Sequence, residues 1–301
     1  MFQETGNRAL LRARITTVTP LAIRTGDTGL EPGGTDLKCV RTRRGGEEPT
    51  VYIPGSSLKG VVRSAAEANI RGQRFGEVQG ACDPLDVTSS CSDRNRARRE
   101  STQVHREHCM ACRLFGSLSM KGRAAIRDLL PWEGEDTSRD QTDRERANRT
   151  QVRFGVGINR ISGGVSRGKL FDQEVVPAGV SFWGDIALEN YQVWQLGLLA
   201  SAFAELDDGF AQLGSSKSRG LGVVQVDVAS LVHEQPLRAG TRPLGVGRIL
   251  AAERVRAYGL LPEADLPETA SRTNGLFRRF ELDREQAKAW LEAGKAALGA
   301  L

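Results

Sequence analysis

Four of the five cysteines fall between residues 82 and 112, and this clustering restricts what the chain can fold into more than any other feature. Cys82 and Cys91 frame eight residues, and Cys109 and Cys112 form the CxxC pair of "CMAC". A CxxC turn points two thiolates at one centre, and two further cysteines complete the tetrahedral set of a structural zinc site. Such a closed set leaves no position for substrate, so its task is to hold the chain together. His105 or His108 is an alternative ligand in place of a widely spaced cysteine, and unpaired core cysteines are the other alternative. Cys39 lies apart and reads as an ordinary small core or loop residue. Reduced thiols suit a cytoplasmic protein. The start "MFQETGNRAL" has no apolar leader, and no apolar run approaches the roughly 20 residues that span a bilayer. The expected location is therefore the cytoplasm, with no membrane partner.

The cluster interrupts an otherwise regular pattern. "ALLRARITTVTPLAI" alternates apolar and polar residues as a half-buried strand does. A Gly-rich and Arg-rich loop follows over 24–50, then "VYI" and a helix "LKGVVRSAAEANI" that Ser56 or Ser57 can cap. Residues 71–120 carry the cysteines and the Arg-rich run "SDRNRARRESTQ", which has too little apolar content to pack alone, so they read as a metal-held insertion. "GRAAIRDLL" resumes as a strand. Residues 133–150 are highly charged with no apolar face, which predicts disorder or a projecting hairpin. The second half repeats the theme: strands "TQVRFGVGINRI" and "EVVPAGVSFWGDIAL", the helix "YQVWQLGLLASAFAEL", and a closing strand "VVQVDVASL". Two related β-α-β-rich halves predict an α+β fold, compatible with ferredoxin-like units packed together. Residues 233–301 read as a less regular tail with one good helix starting at Leu282 or Asp283.

A formal charge of +5, carried mostly by arginine, makes nucleic acid a plausible partner, because the planar guanidinium matches phosphates and stacks on bases. Three loops offer backbone-binding groups. "PGSSLKG" supplies Ser56, Ser57 and Lys59 at a helix start, with Arg63 one turn on. It is not a Walker A loop, since the G-x-x-x-x-G-K-[ST] order is absent. "LGSSKSRGLG" supplies Ser216, Lys217 and Arg219, and "INRISGG" supplies Arg160. Two Gly/Ser-rich basic loops in equivalent halves suit successive phosphates along one groove, while flexible surface turns are the plainer reading. Aromatic residues are too few to advertise a stacking platform. With only three histidines, histidine acid-base catalysis is not expected. The acid best framed for hydrolysis is Asp36 in "GGTDLK", with Lys38 and Arg41 nearby to offset phosphate charge; its plainer role is a turn former.

"GGTD", "YIPGSSLKGVVRS", "CMACRLFGS", "GRAAIRD", "INRISGG", "EVVPAGVSFWGDI" and "GSSKSRGLGVVQV" occur in this order. Together they resemble the RAMP superfamily, most closely the Csm-like backbone subunits of type III CRISPR-Cas effector complexes and their type III-D relatives, over roughly residues 8 to 230. The resemblance implies an RRM-like (ferredoxin-like) core, set here at residues 1–232, with a zinc-binding insertion at 71–120 and a thumb-like hairpin at 131–150; residues 233–301 are read as a C-terminal extension that the resemblance does not cover. It implies CRISPR RNA, target RNA and other effector subunits, including copies of itself, as partners. Asp36 falls at the position of an aspartate that cuts target RNA with Mg or Mn. Ser56, Ser57, Lys59 and Arg63 fall in the guide-binding stretch, and Ser216, Lys217 and Arg219 in the glycine-rich loop. Cys82, Cys91, Cys109 and Cys112 match a zinc insertion of relatives. Asn159 departs from the family, where Asp commonly precedes the arginine. A guide-binding subunit that cuts nothing is the alternative function.

Overall fold

The computed structural model describes residues 4–24, 35–43, 48–95, 100–134 and 137–301. Strand β1 (Arg8–Thr17) keeps the alternation its sequence announces: Ala9, Leu11, Ala13 and Ile15 are buried, while Arg12 and Arg14 lie on the other face. The short β2 (Arg41–Thr42) and β3 (Thr50–Val51) form a ribbon ahead of helix α1 (Gly55–Ile70). The small ribbon of β4 (Arg74–Phe75) and β5 (Val78–Gln79) leads into the cysteine region, with helices α2 (Cys91–Arg94), α3 (Ser101–Glu107) and α4 (Met110–Phe115). Next come β6 (Ala124–Ile126), α5 (Thr137–Asn148), the hairpin of β7 (Gln151–Ile158) and β8 (Val165–Val175), and β9 (Ser181–Glu189). Helix α6 (Val193–Asp207) and β10 (Val224–Pro236) precede α7 (Val246–Ile249), α8 (Ala252–Tyr258), β11 (Ser271–Asn274), β12 (Phe277–Leu282) and α9 (Arg284–Gly299).

The main sheet runs β11-β12-β10-β1-β9-β6, with every pair antiparallel. Its inner part, β1-α1-β6-β9-α6-β10, has the β-α-β-β-α-β order of a ferredoxin-like fold. The two halves thus interleave in one sheet instead of forming two packed units, because β1 finds a partner for each edge only in the second half. Helix α6 lies against α1 and α9. At the α6–α9 crossing a Cβ on Gly197 would lie 2.0 Å from the carbonyl oxygen of Gly294, so the two backbones touch.

Four local expectations change. Helix α1 starts at Gly55, and neither Ser56 nor Ser57 caps it; the Gly55 N–H donates to Oδ1 of Asp128 at 2.8 Å. In "GRAAIRDLL" only Ala124–Ile126 is regular strand. The charged segment 133–150 holds helix α5 where a hairpin or disorder was expected, because its anchors are tertiary. Asp140 accepts the N–H groups of Glu133 and Gly134 at 3.1 Å each, Ala147 is buried, and Asn148 Oδ1 accepts the Val51 N–H at 3.1 Å. The hairpin that carries exposed apolar residues, Phe154, Val156, Ile158 and Leu170, is the one that follows it. Lastly, the boundary drawn at 232/233 falls inside β10, and the tail adds β11 and β12 to the same sheet and α9 to the helical layer.

The tail is fastened to α6 by Glu263, whose carboxylate accepts the Val193 N–H at 2.7 Å and the Gly247 N–H at 2.9 Å. Burial pushes this acid up to about 7, against hydrogen bonds that lower it. The folded chain therefore holds a proton more tightly than the unfolded one, so stability falls as pH rises from the ordinary glutamate range through about 7. Urea titrations between pH 5 and 8 should show this loss, on the order of 3 kcal/mol at most, and Glu263→Gln should flatten it.

Candidate nucleic-acid interface and thiol centre

The glycine-rich loop at 213–222 lies flat on the chain that leaves β1. Gly214 and Gly222 both have positive φ, +82° and +85°, and Cβ atoms there would fall 2.4 Å from the Ala22 oxygen and 2.0 Å from the Leu213 oxygen. Only glycine permits both the backbone conformation and the approach. The Ser215 N–H donates to Ala22 O at 2.8 Å and the Gly222 N–H to Pro20 O at 3.0 Å. The tight turn Lys217–Arg219 then presents Lys217 and Arg219 to solvent.

Three residues that sequence reasoning missed complete this surface. Arg24 donates through Nη2 to Gln173 Oε1 at 2.5 Å and to Ser216 Oγ at 3.0 Å, and its Nε is buried with no hydrogen-bond partner among the described residues. Arg219 lies over the Phe171 ring, 5.4 Å from its centroid. Burial and then the charge of Arg219 hold the Arg24 guanidinium below its usual range. Arg24, Leu37, Phe171, Ser216, Ser218 and Arg219 line an open cleft of about 390 Å³, and among the described residues no carboxylate lines its wall. Two guanidiniums facing one cleft favour a bound anion.

Asp36 sits at the edge of that cleft, one residue before Leu37. Its N–H donates to Asp172 Oδ1 at 2.5 Å, and its Oδ2 accepts the Asp172 N–H at 3.1 Å. Leu37 continues the seam along β8, where its carbonyl accepts the Glu174 N–H at 2.9 Å. Asp36 is exposed, and its Oδ1 and Asp172 Oδ2 make no hydrogen bond to described residues, which leaves oxygen donors of the kind a hard divalent cation takes. Gly33 and Gly34 lie outside the described residues. Arg41, expected to offset phosphate charge, is instead bonded to Glu174 through Nη1 at 2.9 Å.

The "PGSSLKG" stretch belongs to a second cleft, of about 740 Å³, where Ser56, Lys59 and Arg63 meet Cys82, Cys112 and Lys121. Burial and then the charge of Arg63 lower the Lys59 ammonium. Arg63 is a brace: Nε donates to Glu67 at 2.7 Å, Nη1 to Gly116 O at 3.1 Å and Nη2 to Cys112 Sγ at 3.6 Å. Ser57 is half-buried on the same helix turn. Arg160 is exposed at the turn of the β7–β8 hairpin and lines neither cleft.

The Sγ atoms of Cys82, Cys91, Cys109 and Cys112 are all buried and lie within 4.8 Å of one another. Cys82 and Cys112 are 3.7 Å apart, against the ~3.8 Å edge of a tetrahedron with metal–sulfur bonds of about 2.3 Å. Amide N–H groups of Cys109 and Cys112 donate to Cys91 Sγ and Cys109 Sγ, at 3.2 and 3.4 Å, and Arg94 Nη2 donates to Cys91 Sγ at 3.5 Å. This donor set fits a metal held as thiolates, with Arg63 and Arg94 offsetting part of the negative charge. The histidines are committed elsewhere. His105 Nδ1 pairs with Tyr258 O at 2.8 Å, and His108 Nε2 with Ser117 Oγ at 2.8 Å. The group also ties distant segments together, since buried Arg113 donates to His108 O at 2.9 Å, Arg106 O at 2.8 Å and Gly259 O at 2.9 Å. Cys39 is a buried thiol pushed up to about 12, first by burial and then by Glu174.

Among the described residues no helix is long and apolar enough to cross a membrane. The model of the family described as "RAMPs: RAMP superfamily" matches residues 14–225, a span that takes in Asp36, the start of α1, the four cysteines and the glycine-rich loop. No curated protein matches the chain.

Purified without chelator, the chain should carry about one tetrahedrally bound metal per molecule by elemental analysis. Cys112→Ser should lower both the metal content and the unfolding midpoint, whereas Cys39→Ser should leave the metal in place. A folded wild-type preparation free of metal would refute the assignment.

Proposed function

The chain belongs to the RAMP superfamily, and from that membership we propose that it is a backbone subunit of a type III CRISPR-Cas effector complex. In this reading it binds CRISPR RNA and cleaves complementary target RNA in the cytoplasm. The observation that carries it is the cleft between Arg24 and Arg219, which no carboxylate lines among the described residues, with Asp36 at its edge. An RNA backbone is the extended polyanion that such a cleft suits, and glycines at 214 and 222 let it approach the main chain.

The proposed reaction is in-line attack of a target 2′-hydroxyl on the adjacent phosphorus, forming the O2′–P bond as the P–O5′ bond breaks. Asp36, held by its Asp172 bonds, orients the attacking hydroxyl or holds a divalent ion. Mg or Mn bound there would supply Lewis-acid stabilisation of the phosphoryl oxygens. Arg24, Lys217 and Arg219 hold the phosphate backbone, and Ser56, Ser57 and Lys59 a second stretch of guide; Arg63 acts by bracing α1. Arg160 meets RNA from the hairpin turn. The thumb role falls on residues 131–150 together with the β7–β8 hairpin that continues them. Zinc is the metal proposed for the four cysteines, in a structural role. Neighbouring effector subunits, including further copies of this chain, complete the assembly.

The second reading is a guide-binding subunit that cuts nothing. The reciprocal Asp36–Asp172 bonds favour it, since a turn-forming aspartate makes the same contacts. The assembled complex separates the two. Asp36→Ala should keep guide and target binding yet lose target cleavage by roughly 100-fold or more, as should excess EDTA. Cleavage unchanged in Asp36→Ala would remove the residue from the reaction.

A further inference from the structure

A second basic cavity lies between α5 and the sheet face that carries Arg14. Arg14 of β1, Arg139 and Arg146 of α5, Ser181 and Trp183 of β9 and the Gly179 turn enclose about 180 Å³, with Asp143 as the carboxylate in its wall. Arg14 packs its guanidinium on Trp183, 5.4 Å from the ring centroid, and pairs with Asp227 at 3.0 Å, while its Nε is buried without a hydrogen-bond partner among the described residues. The ion pair between Asp143 and Arg139 is long, 4.0 Å. Arg146 has no ion pair among the described residues, and it lies over Gly179, where a Cβ would meet its Nη2 at 2.9 Å. The missing side chain at position 179 is what lets this guanidinium reach the cavity.

The cavity and the Arg24–Arg219 cleft flank one stretch of chain. The Thr17 N–H donates to Val180 O and the Leu21 N–H to Val176 O, both at 2.9 Å, so residues 176–180 separate the two basic surfaces. We propose that Arg14, Arg139 and Arg146 form a phosphate-binding site that takes the sugar-phosphate backbone of the same single-stranded RNA as it passes over this edge. The site rests on the RNA-binding reading and extends it to residues outside both clefts. Arg14 and Arg139 are shared with carboxylates, Asp227 at 3.0 Å and Glu133 at 3.6 Å, so Arg146, which has no ion pair among the described residues, supplies the uncompensated charge. The flat Trp183 floor under Arg14 fixes the direction of one fork.

The test is equilibrium binding of a fluorescent single-stranded RNA to the full chain over a series of salt concentrations. Four variants serve: Arg146→Ala, the double Arg139→Ala/Arg146→Ala, Arg219→Ala in the other cleft, and Arg256→Ala, which is exposed on α8 and lines none of these cavities. The double variant should bind about 10-fold more weakly and lower the slope of log K against log salt by roughly one to two. Arg256→Ala should stay near wild type. A double variant that binds like wild type while Arg219→Ala is weakened overturns this site and leaves the RNA-binding reading standing. Equal losses in Arg256→Ala and the double variant reduce the effect to general charge and overturn it as well. Failure of the wild-type chain to bind RNA overturns both.

Discussion

Strand β1 can be buried only by strands far along the chain: it pairs with β9 on one edge and β10 on the other, Arg12 meeting Asp185 and Ser230. Everything between must leave the sheet and return to it. The returns converge at the C-terminal end of β1. Chain leaving β1 supplies Arg24, chain approaching β9 supplies Phe171 and Gln173, and chain entering β10 supplies Ser216 and Arg219. The proposed RNA cleft is thus a product of the sheet's connectivity, and its groups are held by rigid elements, not by a free loop.

The thiol group answers a different constraint. The region around it has short helices, and of these α4 packs into the main core through Met110, Leu114 and Phe115. Its ligands come from four points in sequence, and Arg63 and Arg113 carry the order outward, to α1 and to the segment after α8. A metal held there would stabilise the floor of one basic cleft and the docking of the tail together. Chemistry is absent from this role, since all four positions of a tetrahedral ion would be filled by cysteine.

Legibility in the sequence followed the range of the interaction. The alternation of β1, the amphipathic α9 with its Asp283 cap and the cysteine spacing are local patterns, and each was readable. The start of α1 was misread because its acceptor, Asp128, stands 73 residues away and no local rule points to it. Helix α5 was misread for a similar reason: without an apolar stripe its order comes from Asn148, Asp140 and the Trp132 ring under Arg144, which lies 4.4 Å from the centroid. Ser216 and Arg219 were visible in a Gly/Ser-rich loop, but Arg24, Phe171, Asp172 and Gln173 carried no motif. Only the pairing of distant strands assembles them.

The central claim is that RNA runs through the cleft that Arg24 and Arg219 share. Arg24 is the sharpest probe, because Ser216 Oγ and Gln173 Oε1 bond each other at 3.0 Å and keep the loop in place without it. Binding of single-stranded RNA by Arg24→Ala, measured beside its unfolding curve, decides the matter. The account predicts an affinity loss of about 10-fold with a shallower salt dependence and an unfolding midpoint close to wild type. Wild-type affinity in a folded Arg24→Ala chain would contradict it.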